Sequence, residues 1–154
     1  MSLRPLSDRD ATSVRRLVAA EVGGTPYGGP LLPVLDLALE SDSREARGMV
    51  AESPDGVVGL VLYGLVAGAR GAGRIHLIVV TAAARLNGVG SSLVDAAAEE
   101  LRAWGARFVV AELADDPVLA PGRTLLDRTG FAEEARVGDY YRDGVALTLM
   151  RREL

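Results

Sequence analysis

The stretch from Ile75 to Trp104 restricts the folds open to this chain more than any other, because an apolar run passes through a glycine loop into an amphipathic segment. Ile75 to Val80 reads as a strand. Arg85-Leu86-Asn87-Gly88-Val89-Gly90 follows it, and from Ser91 onward Leu93, Ala97, Leu101 and Trp104 share one helical face while Asp95, Glu99, Glu100 and Arg102 lie off it. Gly105 supplies the helix terminator. The first N–H groups of a helix have no partner inside it and sit at the positive end of its dipole. A strand that feeds a helix through glycines therefore lets a phosphate approach closely. Gly88 and Gly90 stand where that approach would occur. A plain tight turn would carry the same residues, so the loop alone leaves both readings open.

A dinucleotide fold is a further claimant, since its fingerprint is G-x-G-x-x-G after a strand with an acid about 20 residues beyond, where Glu112 falls. Leu93 takes the place of the third glycine, however, and the strands before the loop are patterned as antiparallel hairpins. Arg47 to Glu52 and Val57 to Ala67 are apolar runs separated by Ser53-Pro54-Asp55-Gly56, a sequence suited to reversing the chain. A parallel crossover unit is not what this order describes.

The remaining segments complete an α/β pattern. Leu3 to Leu6 can form a first strand. Ser7 then caps a helix whose first turn holds Asp10 and whose apolar stripe is Val14, Leu17, Val18 and Val22. The glycines and prolines of residues 23–30 interrupt it, and a second helix runs through Leu32, Leu35 and Leu39. Residues 68–73 are a glycine-rich turn, Phe108 to Leu113 a strand, and Arg123 to Arg128 a short helix stopped by Gly130. Phe131 to Val137 and Val145 to Met150 make a last strand pair around residues 138–144. The order predicts one domain over residues 1–154, with helices packed on a mixed sheet.

Composition removes several chemistries. The chain has no cysteine and one histidine, His76, which sets aside disulfides, thiolate nucleophiles and cysteine- or histidine-based metal sites, so no metal is expected. All 17 basic residues are arginine, which excludes a lysine Schiff base and a Walker P-loop. The net charge of −4 does not support a nucleic-acid footprint. No apolar run approaches the roughly 18 residues of a membrane helix. A soluble, cytoplasmic protein is the expectation, and a homodimer stays open.

Val80-Thr81-Ala82-Ala83-Ala84-Arg85-Leu86-Asn87-Gly88-Val89-Gly90 resembles the central motif of the GNAT superfamily of acyl-CoA-dependent N-acetyltransferases: a strand end, a short spacer, then R/Q-x-x-G-x-G/A opening a helix. The proline usual at Ala82 and the aromatic usual at Ala84 are absent. Leu125-Leu126-Asp127-Arg128-Thr129-Gly130-Phe131 is similar to the family's helix ending in Gly-Phe. Asp139-Tyr140-Tyr141 before the last strand resembles the C-terminal hairpin of the branch that acetylates protein N-termini. The likeness spans essentially the whole chain. It implies a seven-stranded, mixed and mostly antiparallel sheet with helices on both faces, and acetyl-CoA as cosubstrate.

By that resemblance, backbone groups of Ile78, Val79 and Val80 would bind the pantetheine arm like an added strand, one N–H polarising the thioester carbonyl. Arg85, Leu86, Asn87, Gly88, Val89, Gly90 and Ser91 would hold the pyrophosphate. An amine, either a small molecule or a peptide N-terminus, would attack the thioester directly, and a primary amine with a pKa of about 10 needs a base to lose its proton. The N-terminal branch keeps a glutamate on the strand matching Ala111-Glu112-Leu113, once a two-residue expansion between Ala114 and Gly122 is allowed, so Glu112 is the first candidate base. Other members place the base at the position of Arg74, which cannot serve, although His76 shares its face. Many relatives carry a tyrosine acid where this chain has Leu126, which leaves water, Tyr140 or Tyr141 to protonate the thiolate. Tyr27, Glu21, Asp115 and Asp116 are expected contacts for the acceptor. Three readings remain open at this point: an active transferase, a catalytically silent acyl-CoA-binding module, and a nicotinamide-dependent enzyme.

Overall fold

The computed structural model describes residues 1–154. In chain order the elements are β1 (Ser2–Pro5), α1 (Ala11–Val22), α2 (Leu32–Glu40), β2 (Arg47–Ser53), β3 (Gly56–Leu65), β4 (Ala72–Val80), α3 (Val89–Ala103), β5 (Phe108–Ala114), α4 (Ala120–Arg128), β6 (Ala132–Arg142) and β7 (Val145–Glu153). The strands form one seven-stranded sheet in the order β1-β2-β3-β4-β5-β7-β6. Every neighbouring pair is antiparallel except β4 with β5. This is the α/β sheet the resemblance implied.

Two apolar layers hold the sheet. Val14, Leu17 and Val18 of α1 and Leu35 of α2 pack with Val50, Leu60, Leu62, Leu77 and Val79 on one face. Leu93, Val94, Ala97 and Leu101 of α3 pack with Val61, Tyr63, Ile75, Val109 and Met150 on the other. The faces exchange on β4 because of a bulge: Tyr63 pairs with Ile75 but Leu62 pairs with Leu77, leaving His76 as the extra residue. Ile75 therefore faces α3 while Leu77 and Val79 face α1 and α2.

Glycine at Gly59 explains why α3 can carry leucine where a dinucleotide fold needs a third glycine. A Cβ at Gly59 would lie 2.9 Å from Leu93 Cδ1, so here the strand, not the helix, gives way. Strand β4 starts earlier than the glycine-rich sequence suggests, with Ala72 and Gly73 in the sheet. A Cβ at Gly73 would lie 2.9 Å from Leu101 Cδ1, so the residue that reads as a turn former is needed for close packing. Strand β6 is also longer than expected and carries Tyr140 and Tyr141 within it. Its register slips between Val137 and Arg142, where Asp139 takes φ 55°, and Asp143-Gly144 alone makes the turn.

The start of the chain is pinned electrostatically. Asp10, buried before α1, accepts from both outer nitrogens of the Arg4 guanidinium at 2.8 Å and from the Ser7 N–H at 3.0 Å. These bonds, Arg4 first, hold its carboxyl at about 2. A carboxyl lowered in the folded state contributes stability that is present above the unfolded pKa, about 4, and lost as pH falls through about 2. Asp10→Asn is expected to cost roughly 2 kcal/mol at neutral pH by denaturant titration, and to flatten the stability loss between about pH 4 and pH 2. No helix is long and apolar enough to cross a membrane.

Candidate active site

The site begins where β4 and β5 part. Ala72, Gly73 and Arg74 pair with Phe108, Val109 and Val110, and no pairing continues beyond them. The backbone phase then decides which groups face the opening. Thr81 N–H donates to Val58 O on β3, so by the alternation of an antiparallel ladder Val79 and Leu77 also spend their polar groups on β3. Ile78 and Val80 point theirs away from β3, toward β5. Of the three residues expected to bind an extended arm, Ile78 and Val80 turn their backbone groups to the opening, whereas Val79 turns its N–H and C=O to β3. On the opposite bank, Asp115 N–H donates to Ala146 O, so the same alternation turns Glu112 and Ala114 toward the opening.

The glycine loop lies at the end of this opening. Ala82–Ala84 form one short 3-10 turn, Gly88 adopts φ 78° as the cap of α3, and Leu86 also has positive φ, 66°, and is 93% exposed. None of the backbone N–H groups from Leu86 to Ser91 donates to a backbone or side-chain acceptor. A Cβ on Gly88 would meet nothing within 4 Å. The donors and the open space suit an anionic diphosphate. Gly90 has a different reason to be glycine, since a Cβ there would lie 2.9 Å from Leu125 Cδ2 of α4. Val89 buries its side chain in the core and can offer only its N–H. Asn87 is exposed. The Arg85 guanidinium pairs with Glu21 of α1 and donates from Nε to Val80 O at 3.3 Å. A bound phosphate would compete with Glu21 for it, and this pairing went unseen in the sequence.

At the apex of the opening, Glu112 and Arg74 approach to 3.8 Å, with 48% of the Glu112 side chain exposed. His76, at the bulge, hydrogen-bonds Glu45 O through Nε2 at 3.1 Å. A carbonyl only accepts, so the neutral ring keeps its proton on Nε2 and leaves Nδ1 bare. Burial, first of all, pushes the His76 pKa below its ordinary value, which keeps the imidazole neutral at physiological pH. Gly64 makes this contact geometrically feasible: a Cβ there would lie 2.0 Å from the same carbonyl oxygen.

The outer wall is aromatic. Tyr27, from the α1–α2 loop, donates to Asp116 Oδ2 at 2.8 Å and meets Tyr141 edge-on at 5.4 Å between centroids. Tyr140 meets Tyr141 edge-on at 5.0 Å. Arg142 reaches the same Asp116 oxygen at 3.2 Å, a tie the sequence did not disclose. Burial and then the Glu112 charge push the Tyr141 pKa upward, so its phenol keeps its proton. The structure thus brings together Glu112, Arg74, His76 and Tyr141, with Tyr27 and Asp116 beside them. Asp115 turns instead to Arg136. Leu126 is buried in the core facing α3, so its position offers no acid.

The comparisons bear on this geometry. The profile of the acetyltransferase (GNAT) family matches residues 15–121, a span that includes the opening, the glycine loop and Glu112. A GNAT-family protein from Desulfovibrio desulfuricans superposes with a TM-score of 0.86 at 26% identity, covering 99% of this chain and 98% of its own. Ribosomal-protein-alanine N-acetyltransferase from Brucella melitensis superposes with a TM-score of 0.79 at 20% identity over 100% of both chains. Ard1 from Thermoplasma volcanium does so with 0.77 at 24% identity, over 99% and 97%. No curated protein sequence matches the chain. With the profile running from α1 into the start of α4, and with β4 and β5 splayed below an unpartnered helix N-terminus, this chain belongs to the GNAT family of N-acetyltransferases, which use acetyl-CoA as cosubstrate.

Proposed function

We propose that this chain acetylates a primary amine, with Glu112 as base, and that Leu86 to Ser91 and the Ile78 and Val80 backbone hold the cosubstrate. The observation that carries the reading is the opening between β4 and β5, whose free backbone edge runs from the unpartnered α3 N-terminus to Glu112. Acetyl-CoA supplies an activated acyl thioester there. The Leu86–Ser91 N–H groups neutralise the diphosphate, and Ile78 or Val80 presents an N–H to the thioester oxygen. Glu112 takes the proton of the acceptor ammonium, directly or through water. The carbon–nitrogen bond forms as the carbon–sulfur bond breaks, and Tyr141 holds a phenol proton for the departing thiolate. His76, with Nδ1 bare, is the second group able to accept a proton. The products are an amide and free CoA thiol.

Two kinds of acceptor fit the aromatic wall. The Tyr27, Tyr140 and Tyr141 cluster and the likeness of Asp139-Tyr140-Tyr141 to the N-terminal acetyltransferase branch support a peptide N-terminus. A small amine would sit against the same rings. Incubating the protein with acetyl-CoA and a panel of short peptides and small amines, while following released thiol, tests the reading. Acceptor-dependent thiol release with amide product is expected. Acetyl-CoA binding with no turnover across the panel would leave a silent binding module instead.

A further inference from the structure

Beside the proposed base, a cavity of about 200 Å³ opens between α2, the end of β3 and β4. Its walls include Val34 and Leu37 of α2 and Leu65 and Val66 at the end of β3, and its polar side chains include Arg74 and His76. Arg74 Nε is shut off from solvent and donates to nothing in the structure. The same guanidinium reaches Glu112 only at 3.8 Å, beyond hydrogen-bond distance. The Arg74 side chain as a whole is 38% exposed, so the guanidinium stays within reach of a ligand, and an anion in the cavity would give it the acceptor it lacks. The two acids nearby do not fill the role. Glu45 also lines the cavity, but it is an exposed residue that makes no ion pair with Arg74, and Glu112 is half exposed at the apex of the β4–β5 opening.

We propose that this cavity is an anion subsite that seats the carboxylate of the acceptor on Arg74, so that the preferred acceptors are short amino carboxylates. The inference rests on the transferase reading for its acceptor half. The volume suits a carboxylate with a short apolar body, and the aliphatic walls match that body. The guanidinium that receives the carboxylate lies 3.8 Å from Glu112, so the amine to be deprotonated must stand only a few bonds from the anion. Arg74, which cannot act as a base at neutral pH, thereby becomes a specificity residue.

The chain's single histidine makes the cavity directly observable, because only His76 contributes imidazole ring signals to a proton NMR spectrum. Titrating the full chain with butyrate is expected to shift those signals saturably, and butyramide, of the same shape without charge, to bind at least about tenfold more weakly. Arg74→Met is expected to abolish the butyrate shift while keeping stabilisation by acetyl-CoA as its folding control. In acetylation assays, glycine, β-alanine and 4-aminobutyrate are each compared with their amides, and for the best of them kcat/KM should exceed that of its amide by about tenfold or more. No saturable His76 shift, equal binding of butyrate and butyramide, or equal use of acid and amide acceptors overturns the proposal. Carboxylate-dependent His76 shifts with no acetylation of any amine would instead defeat the transferase reading and leave the anion subsite standing.

Discussion

Gly88→Glu is expected to abolish acetyl-CoA binding while leaving the chain folded. Gly88 caps α3 with φ 78°, and a Cβ there meets nothing within 4 Å, so a longer side chain finds room. What changes is the space in front of the Leu86–Ser91 N–H groups, where a carboxylate would both occupy the donors and repel the diphosphate. Like charges placed together at a binding surface cost several kcal/mol, so a loss of affinity of at least about 100-fold is expected. The left-handed backbone itself penalises a non-glycine residue by about 1 kcal/mol, and Gly88→Asn separates this effect, since asparagine tolerates the conformation and adds no charge. Thermal-shift titration reads the result: Gly88→Asn keeps stabilisation by CoA and Gly88→Glu loses it. Equal CoA affinity in Gly88→Glu and the parent would remove the diphosphate from this loop.

Glu112→Gln should lower kcat/KM for the acceptor by about 100-fold or more with little change in the affinity for acetyl-CoA. Glutamine keeps the size and the hydrogen-bonding reach of the side chain but cannot take a proton. The deficit carries a pH signature. An amine with a pKa of about 10 is almost wholly protonated near neutrality, so base catalysis matters most there and matters less as the free amine accumulates at alkaline pH. The ratio of parent to variant rates should therefore shrink steadily as pH rises. His76→Gln provides the comparison, since His76 is the other group able to accept the proton. A pH-independent ratio for Glu112→Gln would assign it a binding role and turn attention to the histidine.

Much of the architecture was legible in the chain because it rests on local periodicity. The stripe of Leu93, Ala97 and Leu101, the Ser53-Pro54-Asp55-Gly56 turn and the glycine loop each describe their own element, and the elements appear in the order expected. The legibility failed where glycine or tyrosine served a distant partner. Gly73 reads as part of a turn but lies in β4 under Leu101, and Tyr140 and Tyr141 read as loop but sit in β6. Both failures fall on the site. Residues 72–74 are the only ones that join β4 to β5, and the two tyrosines form the wall opposite Tyr27.

The unpartnered α3 N-terminus and its glycine cap were thus determined by Arg85 to Gly90 alone, since backbone donors at a helix start follow from the chain's own succession of strand, glycine and helix. The parting of β4 from β5 after Arg74, the bulge that isolates His76 and the meeting of Arg74 with Glu112 were decided only in three dimensions. Each depends on the register of strands separated by a whole helix or hairpin, and no local pattern encodes the register of a partner that far along the chain.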